Sequence, residues 1–96
     1  MAYHIRSGKP YHLNGTTATA TWQKWPITTG PTKHFLLQNT HLTESLRVAL
    51  TEDAKNSNQY ITLAAGYGLD LDVEIIEFWT YSTNPCTFES LHTSRP

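Results

Sequence analysis

Asp70, Asp72 and Glu74 occupy alternate positions of the stretch LDLDVEIIEFWTY, residues 69–81. Three carboxylates in a row could hold a cation or share acid–base work, so their spacing matters. In a strand rising about 3.3 Å per residue, same-face neighbours stand about 6.6 Å apart. That is too wide for one side-chain cage around calcium without loop oxygens. The row therefore reads as a solvated face, or as the partner of a strand carrying Arg47 or Lys55. Glycoside cleavage would need two carboxyls across a cleft, which a sequence does not display.

The other reactive residues are scattered. None of His4, His12, His34, His41 and His92 pairs at i, i+2 or i, i+4, and neither Cys-x-x-Cys nor His-Glu-x-x-His occurs. Cys86 is the single cysteine, so an intrachain disulfide is excluded. It follows Asn84-Pro85, with no basic neighbour to lower its pKa, and reads as a small semi-buried apolar side chain. No serine sits in a Gly-x-Ser-x-Gly elbow, and the GYG turn at 66–68 lacks the Gly-Lys-Ser/Thr of a phosphate loop. The expectation is a chain without catalytic residues, metal ligands or cofactor.

Rings and charges offer contact chemistry instead. Trp22, Trp25, Tyr11 and Tyr67 fall in or near turns, where aromatic side chains anchor protein interfaces or stack on sugars. Residues 1–43 hold Arg6, Lys9, Lys24 and Lys33 and no acid, whereas 44–96 hold all eight acids and three bases, for a net charge of −1. Such a split can mark an interaction tail, but four separated cations make no nucleic-acid stripe. The expected partner-binding set is Tyr3, Ile5, Arg6, Lys9, Tyr11, Trp22, Trp25, Phe78, Trp79 and Tyr81.

Strands must position these groups. The 96 residues are 39% hydrophobic and 16% charged, rich in threonine, and read as one small all-β domain. Residues 1–16 read as an extended N-terminal arm, with turn signals at SGKP and LNGTT, and 17–96 as a single β-sandwich domain. TTATATW (16–22) alternates like a strand, KWPITTGPTK reads as a loop, and HFLLQNT (34–40) as a buried strand. LTESLRVALTEDAKN fits both a helical stripe and a strand with Leu46, Val48 and Leu50 inward and Arg47 outward; strand is favoured. QYITLAAGYGLDLDVEII reads as a hairpin or tight β-arch, and CTFESL (86–91) as a last strand. At Ile76-Glu77 the alternation slips, as at a bulge or where a strand passes between sheets. Beyond it Phe78, Trp79 and Tyr81 put rings on both faces, which need cover from the arm or another subunit. The expected architecture is a small antiparallel β-sandwich or jelly-roll-like barrel of six to eight strands. No stretch approaches the roughly eighteen apolar residues of a membrane span, and a reducing cytoplasm suits the lone cysteine.

HFLLQNT, SLRVAL and NQYITLAAGYGLDLDVEI together resemble small β-sandwich structural proteins of tailed-phage virions. Gln38-Asn39, Leu46 to Leu50, Ile61 to Gly66 and Leu69 to Val73 carry the resemblance, over residues 34–76. It implies a non-enzymatic capsid decoration or head/tail accessory protein, oligomeric, bound to the major capsid or another virion protein and located in the virion. The alternatives are a carbohydrate- or receptor-binding β-sandwich using Trp22, Trp25 and Tyr67, and a small regulatory or inhibitor protein encoded by a phage.

Overall fold

Alternation of apolar and polar residues dictates two four-stranded sheets facing each other. The computed structural model describes residues 9–28 and 30–94, with side chains from His12 to Thr93. The elements are β1 (Lys9–Thr16), β2 (Gln23–Pro26), β3 (Thr32–Asn39), β4 (Leu46–Ala49), α1 (Glu52–Asn56), β5 (Ile61–Leu63), β6 (Gly68–Leu71), β7 (Glu77–Tyr81) and β8 (Thr87–Ser94). The first sheet runs β1-β8-β3-β6 and the second β2-β7-β4-β5. Every named pairing is antiparallel. The all-β sandwich expected from composition is the fold.

Between the sheets, β3 contributes Phe35 and Leu37, β4 Leu46 and Val48, β7 Phe78 and β8 Phe88. The rings interlock: Phe35–Phe78 centroids lie 5.2 Å apart, and Trp25 meets Phe88 edge-on at 5.1 Å. Offset and edge-on contacts of this kind are favourable beyond the area they bury. Gly15 leaves room for one of these rings, because a Cβ there would run into Phe88.

The slip at Ile76-Glu77 marks a crossing between sheets. β6 pairs with β3 in the first sheet and β7 with β2 and β4 in the second, so the chain changes layers over residues 72–76. Thr32 fastens the bend: its hydroxyl donates to Val73 O at 2.6 Å and accepts from Ile75 N at 3.0 Å. β5 and β6 also lie in different sheets, so the Gly66 turn, at φ +81, closes a β-arch rather than a hairpin.

Other local expectations changed. Residues 9–16 form β1, paired with β8 along its whole length, so Asn14-Gly15 sits inside a strand and not in a turn. Beyond Thr16, the last residue of β1, TTATATW is no strand; β2 falls instead on QKWP, largely inside the expected loop. Ala and Thr at 18–21 have too little apolar bulk to compete, whereas Trp25 docks on the core, and Pro26 is tolerated because β2 is an edge strand. The ambiguous segment holds both structures: strand β4, then a single helical turn capped by Thr51, whose hydroxyl accepts from Ala54 N at 3.0 Å.

Candidate functional site

On the outer face of the second sheet, strand register assembles a group that the sequence keeps far apart. Arg47 of β4 pairs with Thr62 of β5 on one side and Tyr81 of β7 on the other. Leu46 and Val48 face the core, so Arg47 must face out. Its guanidinium carbon lies 5.0 Å from the centroid of Tyr60 and 5.0 Å from that of Tyr81. Trp22 touches both tyrosines, at 5.7 and 5.3 Å. Two rings thus fix one cation through its delocalised face, with Trp22 packed against both. Among the described residues the guanidinium makes no ion pair and no hydrogen bond.

Arg47 and Tyr60 line a half-open cleft of about 440 Å³, together with Glu44 and the hydroxyl-bearing Thr43, Ser45 and Thr62. One wall is the 40–45 loop, and buried Asn39 anchors it. The Asn39 amide donates to Glu44 O at 2.7 Å and Leu63 O at 3.0 Å, while its carbonyl accepts from His41 N at 2.9 Å and from the Cys86 thiol at 3.3 Å. The same loop curls round His41, whose Nδ1 accepts from the amides of Thr43 and Glu44 at 3.1 and 3.0 Å. Asn84 donates to Glu44 Oε1 at 3.1 Å, and Glu44 lines the cleft.

On the opposite outer face, the carboxylate row finds a partner other than the expected Arg47 or Lys55. His34 of β3 lies between Asp70 and Asp72, Nε2 to one and Nδ1 to the other at 2.6 Å each. The hydrogen bond to Asp72 holds the imidazole above its ordinary pKa, opposed by burial and supported by the charges of Asp70 and Asp72. Both ring nitrogens are engaged, so His34 here is a cross-strand clasp. Inside the sandwich, burial pushes the His92 imidazole below its ordinary value, and burial followed by the Glu44 charge pushes the Cys86 thiol up. Among the described residues no three His, Cys, Asp or Glu side chains converge as a metal would require.

The expected contact residues scatter. Trp22 and Tyr81 belong to the ring cluster around Arg47. Trp79 faces outward beneath Lys55, whose ammonium lies 4.3 Å from its ring centroid, and its indole donates to Glu77 Oε2 at 2.9 Å. Phe78 is core, 1% exposed, so its ring is covered by the chain itself. Trp25 packs on that core and donates to Thr80 Oγ1 at 2.8 Å. Tyr3, Ile5 and Arg6 lie outside the described residues, as do the side chains of Lys9 and Tyr11. Trp22, Trp25 and Tyr67 form no common sugar platform: Tyr67 sits at the β-arch and Trp25 against the core. Tyr60 and Glu44 were missed altogether. The outward parity of Arg47 was legible, but its ring partners come from β7 and from the residue just before β5.

Comparison with known proteins bears on the fold. No family model and no curated protein matches the chain. Solved structures do, among them three at 13–14% identity. An HTH_3 family transcriptional regulator from Vibrio cholerae aligns at 14% identity with TM-score 0.60 over 100% of this chain and 48% of that one, so the chain spans about half its length. The cupin_2 domain of an XRE family transcriptional regulator from Enterobacter cloacae aligns at 14% identity with TM-score 0.60, covering 92% of this chain and 84% of that one. A cupin-2 domain containing protein from Shewanella frigidimarina aligns at 13% identity with TM-score 0.52, covering 96% and 76%. The fold is a cupin-like β-sandwich.

These neighbours overturn the likeness to phage virion proteins, since they are cupin domains and regulators. The pattern over 34–76 that suggested it is strand alternation and a Gly-containing arch, which any two-layer sheet needs. The decoration or accessory role, the capsid and fellow-subunit partners and the virion location fall with it. The carbohydrate- or receptor-binding alternative loses its basis with the dispersal of its three rings.

Proposed function

We propose that this chain is a cupin-like regulatory module that binds a small molecule in the Arg47 cleft and carries out no reaction of its own. One observation carries the reading: a guanidinium held by Tyr60 and Tyr81, with no hydrogen-bond acceptor among the described residues, lines a cleft of about 440 Å³. Pockets for small ligands commonly have this size and pair rings with a few polar groups. The space between the sheets is a poorer place for a ligand, being filled by Phe35, Phe78, Phe88 and the flank of Trp25. The regulatory part of the reading draws on the transcriptional regulators that share the fold.

Amide NMR shifts of the whole chain, recorded against a panel of small metabolites, test this. The expected outcome is that a binder perturbs residues 43–47, 60–62 and 82–83, and that Arg47→Ala removes the response. Perturbation centred on Phe35, Phe88 and His92 would instead move the site between the sheets and refute the reading.

A further inference from the structure

The geometry points to a small zwitterion as the occupant of this cleft: a molecule of the amino-acid class, its carboxylate on Arg47 and its ammonium on Glu44. The inference rests on the reading of the cleft as a binding site and names its ligand class.

Two opposite charges line the same cleft without meeting. Arg47 and Glu44 both face it, yet they form no ion pair with each other within 4.0 Å. Flexible arginine and glutamate side chains lining one cleft can close on one another; here each has other partners. The two tyrosines hold the guanidinium, and Asn84 holds Glu44 Oε1. The backbone beneath Glu44 is fixed as well, its carbonyl by Asn39 and its amide by His41. What remains is a planar fork of donors from Arg47 and the carboxylate of Glu44, both lining one cleft. The fork suits a carboxylate, which it can grip bidentately. Glu44 suits a cationic donor, and its charge weighs against a polyanion such as inorganic phosphate. The hydroxyls of Thr43, Ser45 and Thr62 add neutral hydrogen bonding between the poles without altering the charge requirement. A ligand carrying both charges satisfies both walls; a simple anion or a simple cation leaves one wall unmatched.

The test is NMR titration of the whole chain with L-alanine, acetate, methylammonium and glucose, repeated for Glu44→Gln and Arg47→Gln. Alanine is expected to bind at the cleft at least about tenfold more tightly than acetate or methylammonium, the scale of one charge-assisted hydrogen bond. Glu44→Gln should erase that preference by weakening alanine while strengthening acetate, and Arg47→Gln should abolish binding of both. Neither side chain belongs to the core, and the amide spectrum of each variant reports whether it folds. Acetate or glucose binding as well as alanine overturns the zwitterion assignment and leaves the cleft reading standing. So does a metabolite without an ammonium group that binds there while alanine does not. If no probe or metabolite touches the cleft, both fall together.

Discussion

Replacing Asn39 by Ala should cost about 3 kcal/mol of stability, from the hydrogen bonds left open. The side chain is fully buried and makes four such bonds, two given and two received. Truncation strands the carbonyl of Leu63 in the interior, at about 1–3 kcal/mol for an unmet buried group. The Glu44 carbonyl and the His41 amide are only partly buried, so water recovers some of their loss and together they add about 1 kcal/mol. The thiol bond to Cys86 is weak and adds little. About 3 kcal/mol is a large share of the roughly 5–15 kcal/mol that holds a small domain folded. Urea unfolding followed by tryptophan fluorescence measures it, with the midpoint falling and the slope unchanged. The 40–45 loop should also loosen, seen as faster amide hydrogen exchange at Glu44. A loss below about 1 kcal/mol, within the range of one ordinary hydrogen bond, would refute the anchoring argument.

The remaining predictions concern the other face and the core. The His34 imidazole should titrate above its ordinary 6.5, and Asp72→Asn should bring its midpoint down, both read from ring-proton NMR shifts. Because the folded value is raised, the clasp stabilises fully below the unfolded pKa and is lost as pH rises through the folded one; its exposure keeps the effect small. A midpoint unmoved by Asp72→Asn would show that the clasp does not form in solution. Gly15→Ala should destabilise the chain by about 1–3 kcal/mol by forcing the Phe88 ring aside; thermal melting checks it, and an unchanged midpoint would mean the ring has free space.

Local alternation determined the class of this protein. HFLLQNT and CTFESL write their inward and outward faces residue by residue, because side chains of a strand point alternately to its two sides. The broken parity at Ile76 marked an irregularity, a bulge or a passage between layers, and the sheet order shows it to be the passage. Tertiary structure decided the rest. QKWP became an edge strand because Trp25 finds Thr80 and the core across the sheet, a gain no window of neighbours contains. His34 meets Asp70 and Asp72 only once β3 and β6 take their register, with Leu36 opposite Asp70. Arg47, Tyr60, Tyr81 and Glu44 converge for the same reason. Cross-strand neighbours are set by pairing over dozens of residues, and pairing is chosen by the burial of the opposite face, so the outer face inherits a site that its own residues do not spell.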